Sequence, residues 1–280
     1  MRNCQLLIVL ADVLVVALSV HVVRVPSPNF GDRIDKATGQ RVDKPTIIVM
    51  HYTAVSLQET LDIFTNKSSQ VSAHYTVAEN GTIYQHVDEE YRAWHAGKGE
   101  WRGITDVNTY SIGIEHVNLG YRETPDQPPG IVVPGSPNQW YEYKPAQIHA
   151  SIALAKEIVK RYRIEARNVI GHSDSAVGRK PDPGPLFPWE AYSRNGIGAW
   201  IFRADKQTLD ENIHKKQILE MQKKLYSYGY TGVPLDGVFD NSTRNTLVAF
   251  QMHFRQSNIS GHIDHESQRM IRALLKKYPS

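Results

Sequence analysis

Two short stretches, far apart in the chain, carry residues able to hold a metal ion. Residues 46–54 read TIIVMHYTA, an apolar run that delivers His51. Residues 171–184 read GHSDSAVGRKPDPG, with His172 and Asp182 ten positions apart. Two imidazoles and one carboxylate give Zn²⁺ three protein ligands and leave a fourth position for water. That open position distinguishes a catalytic zinc from a structural one. Between the two stretches, residues 111–118 read SIGIEHVN, and Glu115 is the candidate base. Side chains alternate along a strand, so Glu115 and His116 face opposite sides. A carboxylate in an apolar strand is costly to bury unless it has a partner or a task. Lys180 sits in a loop stiffened by Pro181 and Pro183. A cation held beside a zinc can stabilise the oxyanion of a tetrahedral intermediate. Each residue also has a plainer reading: a structural histidine, a salt-bridged glutamate, a solvated lysine. Spacing alone does not bring His51 and His172 together.

These residues need elements to position them. Residues 46–50 are a β-branched strand candidate ending at His51. Ser56 and Glu59 have capping-box spacing ahead of a short helix, about 57–66. Asn80-Gly81 predicts a hairpin turn between two strand-like runs in HYTVAENGTIYQHV (74–87). Residues 111–117 form a further strand, and 120–143 a long Pro- and Gly-rich loop. Pro145 opens a helix to about Arg163, with Ile148, Ile152, Ala155, Val159 and Tyr162 on the expected buried face. Val169 and Ile170 are a short strand leading to His172. Strands and helices therefore mix, with the candidate ligands at strand ends and in loops.

The composition changes near residue 204, where DKQTLDEN reads as a linker. From 213 to 278 three helical segments follow, with matching turns at LDGVFDNST (235–243) and SGHID (260–264). This predicts a small bundle with an internal two-fold repeat. His214, His253, His262 and His265 are read as surface positions of this part.

The chain has 280 residues, 41% of them apolar, and a net charge of +3. It is long enough for two domains. The charge is too mild to argue for nucleic acid. The first 23 residues carry Arg2 and then an apolar run, which reads as a secretory signal. An uncleaved membrane anchor is the alternative, and Asp12 within the run argues against a stable span. Cys4, the single cysteine, precedes the apolar region and cannot serve as a lipoprotein cysteine. Nothing in the sequence demands more than a monomer.

Together these motifs resemble the zinc-dependent N-acetylmuramoyl-L-alanine amidases of the type 2 family, in particular the periplasmic AmiD-like subgroup. The resemblance runs from Pro45 to Trp189. It is carried by IVMHYTA, VSAHYTV (71–77), AWHAG (93–97), SIGIEHVN and GHSD…RKPDPGPLFPW. Residues 213–278 resemble a peptidoglycan-binding type 1 domain. The resemblance implies a mixed central β-sheet flanked by helices, plus a C-terminal three-helix bundle. Its domains would be a signal or anchor (1–23), a catalytic domain (26–203), a linker (204–212) and a wall-binding domain (213–278). It implies zinc on His51, His172 and Asp182, acid and base work by Glu115, and oxyanion support from Lys180. His74, Trp94, His95 and Asn118 would be substrate or supporting contacts, while Tyr52 and Tyr75 read equally well as packing residues. The implied substrate is peptidoglycan outside the cytoplasm, in the periplasm or cell envelope. A non-catalytic binding protein on the same scaffold is the rival reading. Such relatives commonly lose a zinc ligand, and this chain keeps all three candidates.

Overall fold

The computed structural model describes residues 22–122, 139–202 and 215–279. Strand β1 is Val22–Arg24 and β2 is Phe30–Asp32. Both fall where a signal tail and an irregular lead-in were expected. Two valines serve a sheet edge as well as an apolar leader, so composition could not separate the two. Next come β3 (Ile47–Tyr52), α1 (Leu57–Thr65), β4 (Tyr75–Val77), β5 (Ile83–Gln85) and β6 (Tyr91–Ala93). The chain continues with α2 (Val107–Tyr110), β7 (Ser111–His116), α3 (Pro145–Tyr162), β8 (Val169–Gly171), α4 (His172–Ser175) and α5 (Trp189–Arg194). The end of the chain holds α6 (Lys215–Tyr228), α7 (Asn241–Phe254) and α8 (His265–Lys277).

Six strands form one mixed sheet in the order β1-β5-β4-β7-β3-β8, and β2 pairs with β6 separately. β4, β7, β3 and β8 run parallel, while β4 and β5 form the antiparallel hairpin expected at Asn80-Gly81. Every residue of β3 is buried, as expected of a strand that opens Ile-Ile-Val and lies between two parallel neighbours, β7 and β8. The capping box before α1 is present, with Ser56 and Glu59 bonded reciprocally.

The buried face of α3 differs from the expected stripe. Gln147, Ile148, Ser151, Leu154, Ala155 and Ile158 point inward, leaving Ile152, Val159 and Tyr162 at the margins. The polar pair is the reason. Gln147 Nε2 donates to the carbonyls of Val77 and Val117, both at 2.9 Å, where β4 and β7 end. Ser151 Oγ meets His116 Nε2 at 2.7 Å. An apolar count cannot see residues recruited inward to satisfy strand ends.

His74 and His86 are also sealed inside. Burial pushes His74 down to about 3 and His86 to about 4. The unfolded chain therefore takes up protons that the fold refuses, and stability rises with pH. It is full above about pH 6.5 and lost as pH falls through these lower values. Thermal denaturation should show a flat Tm from pH 8 to 7 and a drop of roughly 10 °C by pH 5. A Tm unchanged at pH 5 would mean that these imidazoles accept protons in place.

The C-terminal helices realise the predicted repeat atom by atom. Gln222 Oε1 accepts from Gly237 N–H at 2.8 Å, and Gln251 Oε1 from Gly261 N–H at 2.8 Å. Both glycines have positive φ, 72° and 67°. The same glutamines reach the next helix start, Thr243 and Ser267, which Asp240 and Asp264 cap. This bundle is docked. Trp101 is 1% exposed and packs edge-on against Tyr228 and Tyr230. Arg102 N–H donates to Gly229 O at 2.9 Å. His253, expected at the surface, is 3% exposed and stacks 3.8 Å from Trp189. The docking surface buries what an isolated bundle would expose. His262 is exposed and His265 half-buried. The expected linker, His214, most of the N-terminal segment and residues 123–138 of the long loop lie outside the described residues. Among the described residues no helix is long and apolar enough to cross a membrane.

Candidate active site

The sheet brings the three expected ligands to one point. His51 is the fifth residue of β3, and β8 runs beside it with Met50 opposite Gly171. The next residue, His172, begins α4. Asp182 returns on the following loop, whose carbonyl accepts from Ser173 N–H at 2.8 Å. His51 Nδ1 lies 3.1 Å from His172 Nδ1 and 2.8 Å from Asp182 Oδ2, and His172 Nδ1 lies 3.0 Å from that oxygen. All three residues are buried.

Hydrogen bonds on the far side of each ring set which nitrogen faces inward. Ser111 donates its hydroxyl proton to Val107 O at 2.6 Å, so its oxygen accepts from His95 Nε2–H at 3.2 Å. His95 Nδ1 then accepts from His51 Nε2–H at 3.0 Å. His172 Nε2–H donates to Ala96 O at 2.8 Å. Both neutral ligand imidazoles therefore turn a bare Nδ1 toward the Asp182 carboxylate. Three converging acceptors repel one another unless a cation lies among them. Their separations are close to the edge of a zinc tetrahedron, about 3.3 Å for bonds near 2.0 Å. The donor set fits a zinc ion.

The electrostatics agree. Burial, then the neighbouring His172 charge, pushes His51 down to about 4. Burial alone would raise Asp182, but the His172 and His51 imidazoles hold it well below the usual carboxylate range. An unprotonated His51 imidazole and an ionised Asp182 carboxylate are the forms that bind metal.

Glu115 stands opposite His51 in the β3–β7 register, so the two side chains leave the same face. His116 points the other way, toward α3, and its Nδ1–H donates to the carbonyl of His51 at 2.8 Å. Glu115 Oε2 is buried without a hydrogen-bond partner. Burial, reinforced by the Asp182 charge, raises its pKa well above the ordinary value, while Lys180 pulls it down. Lys180 is exposed, and its charge reaches both Glu115 and His51. It has no salt-bridge partner among the described residues.

The four expected contact residues divide. His95 joins the site as the partner of His51. Gly113 makes room for it, since a Cβ there would lie 2.5 Å from the His95 ring. His74 is fully buried, with Nδ1 accepting from Gly113 N–H and Nε2 beside Tyr91 O, so it cannot reach a substrate. The Trp94 Nε1 lies near Gly31 and is buried without a hydrogen-bond partner. Asn118 spends its amide on the carbonyls of Tyr141 and Glu142 and on Gly120 N–H, closing the base of the long loop. Tyr75 donates to Glu89 and Tyr52 packs near Trp140, as packing residues would. Two residues escaped the sequence reading. Ser111 ends the hydrogen-bond chain behind His51, and Arg179 donates to Ala96 O at 2.7 Å, steadying the carbonyl that holds His172. A lone Ser and a loop Arg give no spacing signal.

Removing the support behind His51 should loosen the metal. Ser111→Ala and His95→Ala are each expected to weaken zinc binding by roughly 10–100-fold. Competition with a chromophoric chelator measures this, and wild-type affinity in both variants would show that the chain does not set the His51 tautomer.

Known proteins match both halves. Residues 41–185 match the N-acetylmuramoyl-L-alanine amidase family, and residues 214–270 the peptidoglycan binding domain family. The chain is 39% identical over 245 residues to N-acetylmuramoyl-L-alanine amidase AmiD of Escherichia coli, covering 83% of each. The solved complex of that enzyme with anhydro-N-acetylmuramic acid-L-Ala-D-gamma-Glu-L-Lys superposes with a TM-score of 0.70 at 36% identity, over 89% of this chain and 98% of that one. AmpDh3 of Pseudomonas aeruginosa gives 0.69 at 33% identity, over 88% and 99%. The 1,6-anhydro-N-acetylmuramyl-L-alanine amidase AmpD of E. coli is 31% identical over 60% of this chain and 88% of its own length. A family match over more than half its length and 39% identity to AmiD across 83% of both chains place it: the chain belongs to the N-acetylmuramoyl-L-alanine amidase family.

Proposed function

We infer that this chain is a zinc amidase that cuts the amide between the lactyl group of N-acetylmuramic acid and L-alanine of the stem peptide. The observation that carries the reading is the Glu115 carboxylate beside His51, on the face where two bare imidazole nitrogens and Asp182 converge. Bound there, zinc would polarise the scissile carbonyl and make water acidic enough to attack near neutral pH. Glu115 has the free oxygen and raised pKa needed to take the proton of the attacking water. It then passes that proton to the alanine nitrogen as the carbon–nitrogen bond breaks. Lys180, exposed and without a salt-bridge partner among the described residues, would supply positive charge for the developing oxyanion. His95 and Ser111 hold His51, and Ala96 O holds His172. We place the enzyme outside the cytoplasm, in the periplasm or cell envelope, as a monomer. Its N-terminal segment would direct export, and residues 213–278 would engage the wall polymer.

The test is a digest of purified peptidoglycan fragments with zinc-loaded protein, beside a chelated control, read by mass spectrometry. Free stem peptides beginning with L-alanine are expected only with zinc. Fragments retained uncut by zinc-loaded protein would favour a recognition protein instead.

A further inference from the structure

Helix α4 begins at the ligand His172 and is four residues long, so what fixes its first turn aims that ligand. Asp174 does so: its Oδ2 accepts from Gly171 N–H at 2.8 Å, closing the step from β8. This carboxylate is fully buried. Its side-chain donors both come from the C-terminal bundle. Tyr230 O–H donates to Oδ1 at 2.6 Å, and His253 Nδ1 meets Oδ2 at 2.7 Å. His253 is itself clamped by its stack on Trp189, and Tyr230 by the Trp101 ring.

We propose that the bundle is a structural part of the metal centre: Tyr230 and His253 are positioning residues that lock Asp174, and through it the direction of His172. A buried carboxylate that loses a donor moves to find another. Its remaining backbone donor is Gly171 N–H, 2.8 Å away on the turn that leads into His172, so a carboxylate that moves pulls on that turn. A shift of a ligand by a fraction of an ångström is enough to weaken a site built to tight bond lengths. The dependence arises from how this chain packs its second domain.

The inference rests on the reading of His51, His172 and Asp182 as a zinc site. The test compares two full-length variants. Tyr230→Phe keeps the ring and removes one hydroxyl. Thr231→Val removes an acceptor from the same interface, the one that takes Gly103 N–H at 2.9 Å, without touching Asp174. Zinc affinity is measured by chelator competition, apo-protein Tm by calorimetry, and kcat and KM on a soluble muropeptide at saturating zinc. Tyr230→Phe should bind zinc about tenfold more weakly. Thr231→Val should keep wild-type affinity, since the bond it loses lies at the exposed edge of the interface. Excess zinc should restore most of the kcat of Tyr230→Phe with KM unchanged. Wild-type affinity in Tyr230→Phe, or equal weakening in both variants, would overturn the inference while wild-type zinc binding stands. A wild-type protein that binds no zinc would overturn the metal reading and this inference with it.

Discussion

Glu115→Gln should lower kcat on a soluble muropeptide by roughly 10²–10⁴-fold, the usual contribution of a positioned acid and base. Zinc affinity and KM should stay within a few-fold of wild type. Glutamine keeps the size and one oxygen of the side chain but cannot shuttle a proton. Glu115 is not among the three converging ligands, so its replacement leaves the metal socket intact. Its Oε2 has no hydrogen-bond partner to lose, so the fold should tolerate the change. Burial of the carboxylate with Asp182 nearby explains why it can hold a proton between the two steps. Calorimetric zinc titration and steady-state kinetics check the two halves of the expectation. Near-normal turnover would move proton transfer to another group.

A chain ending at residue 202 should lose activity on small soluble muropeptides as well as on intact wall. A wall-binding module on a flexible tether would behave otherwise, since its loss lowers only local concentration. This bundle is not arranged that way. Its removal uncovers Trp101 and Trp189, which are 1% and 2% exposed in the intact chain. It also strips the buried Asp174 of two hydrogen-bond partners. Exposing two large aromatic side chains costs on the order of 3–6 kcal/mol, a sizeable part of a typical stability of about 5–15 kcal/mol. The truncated protein should show a Tm lower by roughly 10 °C or more, and poor soluble yield. Soluble yield, Tm and kcat on a short muropeptide measure this together. A truncated enzyme with wild-type kcat on fragments and weakened retention on wall would restore the tether.

Much of the site is legible in the order of residues. His51 at the end of an apolar run, His172 and Asp182 around a proline-rich loop, and Glu115 in SIGIEHVN are recognisable because a strand has a fixed period and metal chemistry admits few donor types. The same holds for the repeat in the bundle, where Gly-Asp turns and Asp caps are local signals with local causes. The side-chain alternation that separates Glu115 from His116 is likewise a property of any strand.

The parts that sequence could not supply are those that depend on contacts between distant segments. Whether His51 lies beside Glu115 is decided by strand register, 64 residues apart in the chain and adjacent only in the sheet. His95 supports a ligand, while His74, in a motif that looks equally functional, is sealed beneath it, and only the packing of both around Gly113 tells them apart. Gln147 and Ser151 turn inward because strand ends and His116 need partners there. His253 is polar and helical, with every local mark of a surface residue. It is buried because a second domain carries it to Asp174. Residue types and local periods determined which chemistry this chain could hold. Long-range packing, which pairs each buried polar group with a partner far along the chain, decided which residues perform it.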